Sequence, residues 1–89
     1  MATRRHAFYM PDLGLDDSPV RASVWLSALG SNVVEGDRIL EVVAGSVSVD
    51  LPAPATGRLV KKSVAEEDIL RVGQMLGIVE ETAEPETPA

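Results

Sequence analysis

Cysteine is absent from the 89 residues. That excludes disulfides, thiolate metal sites and thiol chemistry. Small extracellular domains usually depend on disulfides, so an intracellular, cytoplasmic home is expected. Aromatic residues are nearly absent: one Phe, one Tyr and one Trp. His6 is the sole histidine, and the only lysines are Lys61 and Lys62. A metal centre would have to be assembled from carboxylates and one imidazole, so none is expected. No apolar run is long enough to span a bilayer. The start, Met1-Ala-Thr-Arg-Arg-His6, leads into no apolar signal-peptide core. No membrane association is expected. Positive charge is also scarce: 8 Lys and Arg face 14 Asp and Glu, for a net charge of −6. That argues against nucleic acid and for basic protein partners.

The length allows one domain. It is too short for a dinucleotide-binding or (β/α)8 enzyme. The 45% apolar content is normal for a globular chain. No segment of ten or more residues carries a helical stripe. Val47-Ser-Val-Asp-Leu51 alternates with a period of two. Val20–Leu26, Arg38–Val43, Gly57–Val64 and Met75–Val79 are further strand-like runs, and Phe8 and Tyr9 point to opposite faces of a leading strand. Glycine- and proline-bearing breakers separate these runs. The expected fold is all-β, a small barrel or sandwich.

A weak internal repeat at a shift of about 37 residues sets Gly36 on Gly73, Val42 on Val79, Val33 on Leu70, Ile39 on Leu76 and Ser31 on Asp68. It implies two similar halves around a pseudo-two-fold axis. The boundaries read as a disordered lead over residues 1–5, a domain over 6–80, and a Pro/Glu/Thr-rich tail over 81–89. The tail has the composition of a linker into a C-terminal domain.

At the midpoint, Ala44-Gly45-Ser46 separates two β-rich runs and reads as a tight hairpin with an exposed tip. Other candidates are weaker. A Ser46, His6 and Asp triad has nothing to bring it together. Glu66-Glu-Asp68 and Asp16-Asp17 lack the ligand spacing of a calcium loop and read as solvated turns. Trp25 reads as partly buried packing rather than a binding hot spot.

The order of motifs resembles the lipoyl domains of dihydrolipoyl acyltransferases in 2-oxo-acid dehydrogenase complexes. The resemblance covers about residues 8–80. It rests on Met10-Pro-Asp-Leu-Gly14, Trp25-Leu26, Gly30 with Val33, Gly36-Asp37 with Ile39 and Glu41-Val42, Pro52-Ala-Pro54 with Gly57, and Val64, Asp68, Val72-Gly73 and Leu76. Ser31 stands where the family has Asp, and Glu67 where it usually has Gly. The resemblance implies a flattened barrel of two small antiparallel sheets, and a non-catalytic module of a dehydrogenase-type complex.

It also exposes a departure. The family carries Glu-Thr-Asp-Lys at the hairpin, and that Lys takes lipoate in an amide bond. Here the four positions read Val43-Ala44-Gly45-Ser46. The attachment-equivalent residue is Ser46, and Ala44, Gly45, Ser46 and Val47 form the recognition tip. A hydroxyl cannot form that amide, so no cofactor is expected. The leading expectation is a non-lipoylated scaffold or recognition domain docking on complex subunits. The alternatives are a carrier with atypical attachment at Ser46, Lys61 or Lys62, or an assembly domain of a carboxylase or transporter subunit. Either lysine is read as a solvated face or edge gatekeeper.

Overall fold

A computed structural model describes residues 3–14 and 19–82. Eight strands follow in order: β1 (Thr3–Tyr9), β2 (Val20–Trp25), β3 (Asn32–Val33), β4 (Arg38–Ala44), β5 (Val47–Pro52), β6 (Gly57–Lys62), β7 (Ile69–Leu70) and β8 (Met75–Thr82). They form two four-stranded antiparallel sheets, β1-β8-β6-β3 and β5-β4-β2-β7. The core is purely apolar. Ile39, Leu40, Val42, Leu59, Leu76 and Val79 are its largest fully buried side chains, and no polar or charged residue among the described ones is buried with them. Phe8 is buried and Tyr9 exposed, as the alternation of the leading strand requires.

The internal repeat is real in three dimensions. Moving four strands along the chain carries one sheet order onto the other. The backbone bond from Ala22 N to Asp68 O is matched by Leu59 N to Ser31 O. Glu67 N to Ala22 O is matched by Gly30 N to Leu59 O, and Leu26 N to Ile39 O by Ser63 N to Leu76 O. Val34 N donates to Asp37 Oδ2 and Arg71 N to Gln74 Oε1, both at 2.9 Å. Even the irregularities repeat: the bulge at Ala22/Val24 has its mate at Leu59/Lys61. Sequence identity between the halves is slight because this backbone asks only for a small set of buried apolar residues and turn formers.

Two strands escaped the sequence reading. β3 and β7 are two residues long, and each buries a single side chain, Val33 or Leu70. Such a short run has no periodicity to detect. The domain edges also differ from expectation. Strand β1 starts at Thr3, inside the expected lead, and β8 runs on through Glu81 and Thr82. Arg4 pairs with Glu81 and Arg5 with Glu80 in the ladder, and the Arg5 Nε lies 3.4 Å from Glu80 Oε2. Charged strand ends look like solvent-exposed tails in a sequence, and only their cross-strand partners show otherwise. Residues 83–89 of the expected tail lie outside the described residues.

Glu67 has a φ of 80°, and it is the sole non-glycine with positive φ among the described residues. Its mate in the other half is Gly30, at φ 90°. A side chain in this region costs about 1–2 kcal/mol. The exposed contact from Arg21 Nη1 to Glu67 Oε1, 3.3 Å long, offsets little of that. Glu67→Gly is therefore expected to stabilise the domain by about 0.5–1 kcal/mol, after the entropy that glycine adds to the unfolded chain. Thermal unfolding by circular dichroism should show Tm rising by about 3–6 °C. A fall in Tm would mean that the Arg21 contact outweighs the strain.

Candidate functional site

Strand β4 alternates buried Leu40, Val42 and Ala44 with outward-facing Glu41 and Val43. In β5 the burial falls away toward the tip: Leu51 is buried, Val49 partly so, and Val47 is 43% exposed. Ala44 pairs with Val47, leaving only Gly45 and Ser46 in the turn. Gly45 has a φ of 61°, and Ser46 is not in the positive-φ region. A positive φ at the first central residue alone defines a type II′ turn, whose twist matches that of the strands and which asks for Gly at that position. The sequence predicts a tight hairpin, and the structure adds the turn type.

Ser46 is therefore the outermost side chain of the hairpin. It is exposed, and its hydroxyl has no side-chain hydrogen bond among the described residues. From Val42 to Val49 no residue is charged. The tip offers a hydroxyl, a glycine and a rim of valine, with Ala44 tucked beneath.

The other candidate residues do not join it. His6 belongs to the other sheet, where its Nε2 lies 2.8 Å from Glu81 Oε1. The triad has no imidazole at Ser46. The lysines lie on β6, which is flanked by β8 and β3. The β3 ladder reaches only Gly57 and Arg58, so at Lys61 and Lys62 strand β6 is laddered to β8 alone, in keeping with a solvated face or edge position. Lys61 is exposed, whereas the Lys62 Nζ sits 5.0 Å from the centroid of the Trp25 ring. Such a cation–π contact ties Lys62 to the packing. Trp25 is half-buried as expected, edge-on to Phe8 with centroids 6.1 Å apart, and its Nε1 donates to Val64 O at 3.0 Å.

The acidic run at Glu66–Asp68 is a turn. The Glu66 carboxylate accepts from Trp25 N, and Asp68 Oδ2 accepts from Ala65 N at 2.8 Å. No group of three His, Asp or Glu side chains suited to a metal occurs among the described residues. Asp16 and Asp17 lie outside them. None of the described residues forms a helix long and apolar enough to cross a membrane.

The two interleaved halves form an all-β module whose midpoint is an exposed two-residue hairpin tip. A family model described as "Biotin-requiring enzyme", for the biotin/lipoyl domain, matches residues 6–79. The chain belongs to this biotin/lipoyl domain family, whose domain is a carrier module without catalytic activity of its own. Among curated proteins, it is 32% identical over 76 residues to the dihydrolipoyllysine-residue acetyltransferase component of the acetoin cleaving system of Pseudomonas putida, covering 85% of this chain and 20% of that protein. It is 30% identical over 80 residues to the corresponding component of the pyruvate dehydrogenase complex of Corynebacterium glutamicum, covering 90% and 12%. It is 35% identical over 71 residues to the lipoamide acyltransferase component of the branched-chain alpha-keto acid dehydrogenase complex of Bacillus subtilis, covering 80% and 17%. The chain thus spans a fifth or less of the length of these relatives. It is a lipoyl-domain-like module related to acyltransferase components of dehydrogenase complexes.

Proposed function

We propose that this module carries no lipoate or biotin and serves a 2-oxo-acid dehydrogenase type complex as a recognition or scaffold domain. The observation that supports this most is the chemistry of the tip. Ser46 occupies the outermost position of the hairpin, where the family resemblance sets the acceptor lysine. A lysine amine attacks an activated carboxyl group to form a stable amide, whereas a serine hydroxyl offers only a labile ester. The uncharged surroundings support the same reading, since all four motif positions differ and not Ser46 alone. Lys61 and Lys62 are poor substitutes. Both lie within a paired strand, and Lys62 is held against Trp25. The domain engages protein subunits of the complex, and the composition of its last residues suits a tether to a further domain.

Intact mass tests this directly. The chain is produced beside lipoate and biotin ligases, and separately isolated from its native host. The expected result in both is the mass of the bare polypeptide. An added mass mapped by peptide sequencing to Ser46, Lys61 or Lys62 would overturn the proposal and establish a carrier with a new attachment point.

A further inference from the structure

The internal repeat lets one half of the fold serve as a control for the other. On the outer face of the β5-β4-β2-β7 sheet, Val24, Leu26 and Ile69 are 37%, 47% and 60% exposed, and Val43 is half-buried. Their mates in the other half are Lys61, Ser63, Asn32 and Glu80. The backbone is alike at both sets, down to the bulge and the turn bonds. Nothing in the fold demands an apolar side chain at these four positions, because the same backbone accepts polar ones.

The reverse exchange occurs beside them. Glu41 and Asp50 face each other across β4 and β5, where the other sheet pairs Ile78 with Ala7. Like charges directly opposite each other destabilise a ladder. Glu66 and Glu67 close the far side, next to β2. Arg21 and Arg38 answer only part of this charge, through exposed contacts to Glu67 at 3.3 Å and Asp50 at 3.8 Å. The face is therefore an aliphatic stripe along β2, continued by Ile69 and Val43 on either side of Arg21, with a rim of excess carboxylate.

We propose that this face docks an amphipathic helix of a partner protein, one whose apolar stripe is flanked by lysine and arginine. A helix packed on a sheet face is one of the standard layer pairings. Val24 and Leu26 lie about 7 Å apart along the strand, close to the rise of about 6 Å between helix residues four apart. Charge selects the flanks: a basic rim meets Glu41, Asp50, Glu66 and Glu67. A second copy of this domain would set the same carboxylates against one another. The proposal goes beyond the reading of Ser46: Val24, Leu26 and Ile69 lie outside the hairpin motif, and Val43 alone is shared with it.

The probe is a synthetic helix of about five turns with leucine along one face and lysine beside it. It is titrated into the uniformly 15N-labelled full chain at 0.15 M salt while amide shifts are followed. The expected shifts centre on Val24, Leu26, Val43 and Ile69. The charge-neutral variant Val24→Thr/Leu26→Ser/Ile69→Asn should weaken binding by about tenfold or more. Two of its residues are those of the mate positions, so it should fold. Ile69→Asn alone, at the most exposed of the three positions, should weaken binding in the same direction. Unchanged affinity in the variants would reduce the effect to charge attraction and overturn the proposal. Shifts on the β1-β8-β6-β3 face, or no shifts, would overturn it as well. So would concentration-dependent sedimentation that the variants abolish, which would make a second copy the occupant.

Discussion

Gly57→Ala is expected to cost the domain about 3 kcal/mol or more, a large share of the roughly 5–10 kcal/mol available to a chain of this size. Gly57 opens β6, and a methyl group built there would overlap the backbone of Glu80 and Glu81 in β8. The neighbours in contact are a carbonyl oxygen, its carbon and a Cα, none of which can rotate away like the end of a side chain. Relief would require the β6–β8 ladder to separate at the Arg58–Glu80 pair, where β8 also carries β1. Overpacking of flexible side chains costs about 1–3 kcal/mol, and collision with a paired backbone lies at or above the top of that range. Gly30 provides the contrast. It has a φ of 90° but open space around it, so Gly30→Ala costs only backbone strain of about 1–2 kcal/mol. Urea unfolding of both variants followed by circular dichroism should separate them clearly. A Gly57→Ala midpoint within the error of wild type would mean that β8 moves aside freely.

The second large effect concerns the tip. Replacing Val43-Ala44-Gly45-Ser46 with Glu-Thr-Asp-Lys should make the domain a substrate of lipoate ligase, read as a mass increase by one lipoyl group. Ser46→Lys alone should be modified at least about tenfold more slowly, a difference of about 1.4 kcal/mol in recognition. The single change supplies the amine but leaves it in a glycine-led type II′ turn with no carboxylate nearby. The full replacement has its own difficulty. Ala44 is 4% exposed, so Ala44→Thr must find room beneath the turn for a larger side chain. Gly45→Asp places an aspartate at a positive φ, which Asp tolerates better than most residues. The thermal stability of the replaced domain should therefore be checked beside its mass. Equal rates for the single and full replacements would mean that the residues flanking Ser46 hardly matter to the ligase.

Much of the fold was legible in the sequence. The long strands, the midpoint hairpin, the inward Phe8 and outward Tyr9 all follow from alternation and breakers. The repeat aligned Val33 with Leu70 although neither strand could be seen, because a buried residue persists where a two-residue strand leaves no pattern. What stayed hidden is what depends on a distant neighbour. Nothing near Gly57 in sequence announces the backbone of Glu80. Nothing in Lys62 announces the Trp25 ring, and nothing in Arg4 and Arg5 distinguishes a frayed lead from a strand until Glu80 and Glu81 are laid beside them. The tip shows the same division. Its residues and exposure are local facts, and its turn type needed a backbone angle.

Each sheet draws two strands from either half of the chain: β1 and β3 lie with β6 and β8, and β2 and β4 with β5 and β7. A nascent chain that has just passed Ser46 holds only the β2–β4 pairing and half of each hydrophobic layer. Thr3 meets its partner Thr82 only after nearly the whole domain has been synthesised. Folding of this topology, dominated by distant pairings, is expected on the millisecond-to-second scale. Completion of the sheet waits for β8, so the domain is expected to fold as a single cooperative unit and not as two successive halves.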